Sequence, residues 1–217
     1  MRRGLYVSVP RGGTAESVDP YLVATKATDD AAVSHHAALQ FHGRTYSMWG
    51  QVTFLTGAHT RGFDFGPMVY APVRPPAVLA ALPHWGGGIE TVLSGGGQVR
   101  VCTCERAMVD VLHTPALGGG WEEIWRSLEL VEFVDLDTVV SYALRLDSAT
   151  TVARVGLFLD QHRERLFVEE AHLKRLVRYA PKDPRYLDTS REPGRLVHPW
   201  NLIVPERVLY RRWEEVL

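Results

Sequence analysis

The sequence predicts an α+β fold, with a mixed or antiparallel sheet in the N-terminal half followed by a helical C-terminal half. Short alternating apolar segments, separated by Gly and Pro, are concentrated before residue 104 and are typical of strands. After residue 104, apolar residues recur at helical spacing. Strands followed by helices are typical of α+β proteins, and 217 residues are enough to bury a sizeable core.

The first predicted elements are one strand and two short helices. Leu5–Val9 predicts a strand that begins abruptly after two arginines and a glycine. Asp19-Pro20 predicts the start of a helix, because proline is favoured in the first helical turn. Ser34 predicts the N-cap of a helix over His35–His42, and Gly43 predicts its end.

Residues 51–103 predict a series of strands. Glycine and proline punctuate this region and separate its apolar segments. The predicted strands are Gln51–Thr56, Phe63–Phe65, Met68–Ala71, Ile89–Leu93 and Gln98–Thr103.

The second half predicts helices with recognisable N-caps. Thr103, Asp135 and Ser148 each stand one or two residues before an apolar stripe at helical spacing. The predicted helices are Glu105–His113, Trp121–Leu130, Leu136–Leu146, Ala149–Gln161 and Val168–Tyr179, followed by a strand at Leu202–Val204 and a short helix from Pro205.

The charge pattern excludes an overall basic protein. The formal net charge is −1, so the chain lacks the global positive charge typical of nucleic-acid-binding domains. Residues 100–149 carry four basic and nine acidic side chains, whereas residues 154–195 carry ten basic and seven acidic ones. A basic surface in the second segment either meets an acidic partner or nucleic acid, or is a solvated helical face.

The cysteines and the apolar runs predict a cytoplasmic protein without a membrane partner. Cys102 and Cys104 are too close in sequence for an ordinary disulfide and lack the spacing of a redox or zinc pair. No apolar run approaches the roughly 20 residues of a membrane span, and Met1-Arg2-Arg3 does not open a signal peptide.

No catalytic, metal-binding or cofactor-binding residues are predicted. His35, His36 and His42 share a helix, but no third ligand follows at metal-site spacing. The three Gly-Gly-Gly segments lack the Lys-Ser or Lys-Thr of a phosphate-binding loop and are interpreted as turns. A nuclease would require carboxylates on strands near a lysine, whereas Glu105 and Asp110 lie on a predicted helix.

A strand-to-helix junction carries three charged residues, Glu105, Arg106 and Asp110. Arg106 in the first helical turn is unfavourable for the helix dipole, so we expect it to have a tertiary partner, either a carbonyl or a carboxylate. Gly156 predicts a close helix–helix approach. Arg154 is hypothesised to pair with Glu105 or Asp110.

Five basic residues form a candidate surface for contact with a partner or with nucleic acid. They lie on or before the predicted helix Val168–Tyr179, where aromatic residues are too sparse for single-strand stacking. The five are Arg163, Arg165, Lys174, Arg175 and Arg178.

Several segments, in order along the chain, resemble those of AbiEi-type antitoxins, which are transcriptional regulators of type IV toxin–antitoxin systems. The segments are Arg3-Gly4-Leu5-Tyr6-Val7, Val33–Gly43, Cys104–Asp110, Arg154–Leu159 and Trp200–Val204. The motif residues within them are Ser34, His36, Leu39, His42, Gly43, Glu105, Arg106, Asp110, Arg154, Gly156, Trp200 and Asn201.

The resemblance implies a non-enzymatic protein of abortive infection and phage resistance. Its partner would be a cognate nucleotidyltransferase-type toxin, contacted directly or opposed indirectly. Residues 1–13 would be a remnant of a wing strand or linker, and residues 14–217 the antitoxin domain, strand-rich over 14–103 and helix-rich over 104–217. Promoter DNA would be a partner only if a winged helix-turn-helix preceded this chain.

Two alternatives from other functional classes remain open. The first is a metal-dependent nuclease or nucleotidyltransferase-like enzyme that uses carboxylates such as Glu105. The second is a stand-alone DNA-binding regulator.

Overall fold

Residues 18–213 are described in a computed structural model of the chain. They form an α+β fold with a mixed six-stranded sheet in the N-terminal half and a mainly helical C-terminal part, which confirms the predicted fold class. The predicted strand Leu5–Val9 lies outside the described residues. The fold divides into two units, with the boundary between Ala107 and Met108.

A six-stranded sheet forms the framework of the first unit. Its strand order is β3-β4-β2-β1-β6-β5. The central strand β1 is antiparallel to β2 and parallel to β6. The strands are β1 (Ala32–Val33), β2 (Gln51–Leu55), β3 (Phe63–Phe65), β4 (Met68–Val73), β5 (Ile89–Ser94) and β6 (Gly97–Cys102).

Strand β1 is absent from the sequence prediction. The strand has only two residues, both apolar, so it is too short to show the alternation of apolar and polar residues that distinguishes a strand from a loop. Both are fully buried, and Val33 is aligned with Phe54 of β2 on one side and Val101 of β6 on the other. The position of this strand is therefore determined by its neighbours in the sheet.

Two helices pack on this sheet, α1 (Pro20–Thr25) and α2 (His35–Phe41). Helix α1 begins at Pro20, as predicted, and the Asp19 carboxylate caps it by accepting a hydrogen bond from the Tyr21 amide at 2.8 Å. Ser34 occupies the predicted N-cap position of α2, but its side chain makes no capping bond and lies 3.0 Å from His35 Nδ1 instead.

The second unit is mainly helical. Its helical core contains Trp125 and Phe158, whose ring centroids are 5.6 Å apart in an edge-to-face arrangement. A small sheet has the order β7-β9-β8. The elements are α4 (Trp121–Leu128), α5 (Leu136–Arg145), α6 (Ala149–Gln161), α7 (Glu170–Val177), β7 (Arg185–Tyr186), β8 (Arg195–Val197), β9 (Leu202–Val204) and α8 (Glu206–Leu209). Helix α3 (Cys104–His113) contains the boundary between the units.

The helix predictions differ from the structure mainly at the ends. Helix α6 has the predicted limits, with Ser148 as its N-cap. Helix α7 begins two residues later and ends two residues earlier than predicted, with Glu169 as its N-cap and a turn at Phe167, which has a positive φ, before it. None of the helices within residues 18–213 combines the length and apolar character needed to cross a bilayer.

Candidate functional site

Arg154 is the most extensively bonded of the predicted motif residues in the second unit. It lies on α6, and the residue is only 8% exposed. Its Nε donates to the Leu187 carbonyl at 2.7 Å, and its Nη1 donates to the carbonyls of Leu112 and His113 at 3.0 and 3.1 Å. Because Leu112 and His113 are the last residues of α3, this side chain connects α3, α6 and the segment after β7.

The predicted pairing of Arg154 with a carboxylate of Glu105 or Asp110 is wrong. The guanidinium donates to backbone carbonyls, and the Asp110 carboxylate accepts a hydrogen bond from the Tyr142 hydroxyl at 2.7 Å. Burial lowers the pKa of Arg154 to about 10, while the charge of Asp188 opposes this shift. Arg154 therefore remains charged near neutral pH.

Gly156 and Trp200 form the tightest side-chain approach in this unit. A Cβ atom added at Gly156 would lie 2.1 Å from the Trp200 ring. Trp200 is fully buried, and its Nε1 donates to the Asp160 carboxylate at 3.0 Å. Gly156 therefore admits an indole ring from the segment before β9, rather than a second helix as predicted.

Asn201, next to Trp200, stabilises a turn. Its φ is 51°, a left-handed conformation that asparagine tolerates better than most residues. Its Nδ2 donates to the Pro181 carbonyl at 2.7 Å. These predicted motif residues therefore support the fold. The polar groups of Arg154, Trp200 and Asn201 form hydrogen bonds within the protein, and Gly156 makes room for the Trp200 ring.

His113 predicts a pH dependence of stability. Its Nδ1 lies 2.7 Å from Thr151 Oγ1, and burial lowers its pKa below the ordinary value of 6.5, with opposite contributions from Asp110 and Arg154. The unfolded chain therefore binds more protons than the folded chain as the pH falls through 6.5. As far as His113 is concerned, the folded protein therefore keeps its full stability above pH 6.5 and loses stability as the pH falls toward the lower pKa that His113 has in the folded state.

We expect unfolding by denaturant to require less denaturant at about pH 5.5 than at about pH 7.5. His113→Gln should reduce this difference. His59→Gln, on an exposed loop, is the control and should leave it unchanged. An equal pH dependence in wild type and His113→Gln would contradict the assignment.

The five predicted basic contact residues do not form one surface. Arg163 pairs with Asp160 and Glu170, Arg175 pairs with Asp137, and Arg165 donates to the Val131 carbonyl. Within residues 18–213, Lys174 and Arg178 form no ion pair. The structure brings Arg163, Lys174 and Arg178 together at a surface pocket of about 380 Å³ beside α7, whereas Arg175 faces α5.

The α2 residues of the resemblance also have structural roles in the first unit. His36 is 1% exposed and stacks on Trp49, with ring centroids 3.7 Å apart. His42 Nε2 donates to the Cys102 carbonyl at 2.8 Å. Leu39 is buried in the core, and Gly43 ends the helix with a φ of 68°.

Arg106 has the tertiary partners that its position predicts. It is 1% exposed, and its Nη1 donates to the carbonyls of Trp85 and Gly87 at 3.2 and 2.5 Å. These partners are carbonyls rather than carboxylates. Glu105, the preceding residue on α3, is half-buried.

The turn held by Arg106 borders a surface pocket that the sequence analysis did not predict. His84 and Trp85 both have a φ of 46°, which is unfavourable for side chains of their size. Strained residues of this kind are often found at binding sites. The pocket has a volume of about 620 Å³, and its lining includes these two residues, Asp29, Asp30 and Arg100. The only available sequence signal is the Trp85 side chain directly before Gly86-Gly87-Gly88.

The Asp30 carboxylate accepts hydrogen bonds from the hydroxyls of Thr28 and Thr56 and from the Gly57 amide. Burial raises its pKa, but bonds from Thr56, Thr28 and the Gly57 amide outweigh that effect, so its net pKa lies below the ordinary value. This carboxylate is therefore ionised at neutral pH. Its bonding stabilises the wall of the pocket.

Arg106→Met should loosen the turn that contains His84 and Trp85. The substitution removes two charge-assisted hydrogen bonds, each worth about 1.5–3 kcal/mol. We expect the amide of Thr103, which donates to Gly88, to exchange with solvent at least about tenfold faster. Arg100→Met is the control, because the bond from the Arg100 side chain to the Asp29 carbonyl is long, at 3.4 Å. Unchanged amide exchange at Thr103 in Arg106→Met would show that the hydrogen bonds of Arg106 do not hold this turn.

No group of three or more His, Cys, Asp or Glu side chains arranged to hold a metal ion occurs within residues 18–213. The sequence matches no model of a known protein family and no curated protein sequence. The structure is similar to the crystal structure of the Rv2827c protein from Mycobacterium tuberculosis. The TM-score is 0.52 at 18% identity, over 89% of this chain and 70% of that one. At this identity, the similarity shows a shared fold.

Proposed function

We propose that this chain is a non-enzymatic antitoxin of a type IV toxin–antitoxin system, of the AbiEi kind, which counteracts a nucleotidyltransferase-type toxin. The proposal is supported by the contacts between segments that carry the resemblance. Arg154 donates to the carbonyls of Leu112 and His113, two and three residues after the Cys104–Asp110 segment on the same helix. Gly156 contacts Trp200.

Chance matches would be scattered over unrelated parts of a fold. Here, Arg154–Leu159 is bonded to the end of helix α3, just beyond the Cys104–Asp110 segment, and is packed against Trp200 of the Trp200–Val204 segment. Residues that contact each other in a core constrain each other's identity. This network supports the proposal, because it places parts of the resembling segments close together in the core of the second unit.

The enzyme alternative receives less support. Asp110 is 2% exposed and accepts a hydrogen bond from the Tyr142 hydroxyl, so it is buried away from a nucleic-acid substrate. Arg106 and Arg154 both donate to backbone carbonyls. Asp110, Arg106 and Arg154 are therefore committed to the architecture.

Co-expression with the toxin encoded beside this gene tests the proposal. We expect this chain to restore growth of cells that express the toxin, and an inactivated toxin is the growth control. Failure of a folded, expressed chain to restore growth would refute the proposal. Mg²⁺-dependent cleavage of nucleic acid that is lost in Glu105→Gln would favour the enzyme alternative, and salt-dependent binding to the operon's own promoter would favour the DNA-binding one.

A further inference from the structure

The side chain of His162 closes the C-terminal end of α6. His162 is the C-cap of this helix and is only 4% exposed. Its backbone amide donates to the Leu159 carbonyl, and its Nδ1 lies 2.7 Å from the Phe158 carbonyl oxygen. Because a carbonyl oxygen can only accept a hydrogen bond, Nδ1 must carry a proton.

The other ring nitrogen of His162 faces a carboxylate. Nε2 lies 3.2 Å from Oε1 of Glu129, the C-cap residue of α4. The same oxygen lies 3.6 Å from Nη1 of Arg211, a second cation that favours the ionised carboxylate. An ionised carboxylate only accepts hydrogen bonds, so Nε2 must donate as well. The ring therefore has the surroundings of an imidazolium, which the helix dipole favours at the end of α6 and the like charge of Arg211 opposes.

Arg211 occupies a backbone position that glycine usually takes. It follows α8 with a φ of 54°. The amides of Arg211 and Arg212 donate to the carbonyls of Val208 and Arg207, which is the pattern of a Schellman turn. The side chain present here in place of glycine is the one that contacts Glu129. A single carboxylate oxygen thus connects this turn to the ends of α4 and α6.

We propose that His162 is a pH-dependent latch for the turn after α8. As an imidazolium, it donates to Glu129 and holds that carboxylate beside Arg211. When the pH rises and the proton leaves Nε2, the nitrogen lone pair faces the carboxylate, so the contact becomes repulsive and the turn opens. Gln161 donates to the Leu209 carbonyl at 3.1 Å in either state, so α8 itself stays in place. This inference does not depend on the proposed antitoxin function.

Nitrogen NMR of the imidazole counts its protons directly. At about pH 6 we expect protons on both ring nitrogens of His162, and Nε2 should lose its proton as the pH rises. In Glu129→Gln this proton should be lost at a pH at least about half a unit lower, because the facing anion is removed. A ring with one proton at about pH 6, or a proton lost at the same pH in both chains, would overturn the proposal.

Amide exchange of the full chain tests the opening of the turn. After correction for the intrinsic pH dependence of exchange, protection of the Arg212 amide should fall at least about fivefold between about pH 6 and about pH 8.5. Arg211→Gln and Glu129→Gln should each abolish this fall. The Tyr179 amide, which donates to the Leu176 carbonyl at the end of α7, is the control and should keep its protection.

The direction of the effect separates this latch from His113. The stabilisation by His162 is complete at acid pH and is lost as the pH rises, whereas that of His113 changes in the opposite direction. Protection of the Arg212 amide that is constant over this range in wild type, or that falls equally in Arg211→Gln, would show that His162 does not hold the turn.

Discussion

Arg154→Met is expected to lower the free energy of unfolding of the second unit by about 4 kcal/mol, because buried hydrogen bonds from a charged group are worth about 1.5–3 kcal/mol each. The substitution preserves much of the aliphatic volume but removes the donors to Leu187, Leu112 and His113. The bonds to the Leu187 and Leu112 carbonyls are buried, so these two carbonyls lose their partner without gaining water. Denaturant unfolding, followed by circular dichroism, measures the loss.

Two further substitutions separate the hydrogen bonds of Arg154 from its charge. Arg154→Lys keeps the charge, but a single ammonium cannot reproduce the geometry of the guanidinium, so we expect an intermediate loss. Arg175→Met is the matched control, because Arg175 forms an exposed ion pair with Asp137, and such pairs contribute about 0–1 kcal/mol. Equal losses for Arg154→Met and Arg175→Met would contradict the assigned role of Arg154.

Gly156→Ala is expected to destabilise the same unit by about 2 kcal/mol, within the range measured for overpacked cores. Glycine to alanine within a helix ordinarily stabilises, by up to about 1 kcal/mol, so the expected sign is reversed. The reason is the Trp200 ring, 2.1 Å from the added Cβ and held by Asp160. The shift of the unfolding midpoint is the measurement.

A double-mutant cycle identifies the Trp200 ring as the cause. Trp200→Leu alone should be destabilising, because it empties a fully buried position. In the Trp200→Leu background, however, Gly156→Ala should cost little or even stabilise, which gives a coupling energy of about 2 kcal/mol. If Gly156→Ala stabilised the wild-type chain, the close approach would not be present in solution.

The elements that the sequence predicted well are those with local signals. Helix α6 combines a Ser148 cap with an apolar stripe, and α1 combines Asp19 with Pro20. Strand β1 lacks such a signal because its two residues are ordered by β2 and β6. The spacing of apolar residues reports only on local sequence. It therefore cannot predict a strand such as β1, which forms because it pairs with distant strands.

The partners of the buried arginines illustrate a second limit. The position of Arg106 at the start of a helix correctly predicted a tertiary partner, but the sequence could not distinguish carbonyls from carboxylates. For Arg154, the predicted carboxylate was wrong for the same reason. Every residue has a backbone carbonyl, so composition says nothing about which of them a guanidinium will meet. The strain at Phe167 and Trp85 is likewise a property of the folded backbone.

Strand β1 is the narrowest backbone pairing in the sheet of the first unit. It forms the connection between β3-β4-β2 and the β6-β5 hairpin, and its register with β6 consists of the single pair of Val33 and Val101. The hairpin, by contrast, has six aligned pairs of its own. Subglobal opening at this seam would separate a four-stranded part from a hairpin that retains its internal pairing. The bonds from His42 to the Cys102 carbonyl and from Ser94 to the Asp19 carboxylate tie the hairpin to the helices, so one-body unfolding of the sheet depends on these bonds as well as on the two buried side chains of β1.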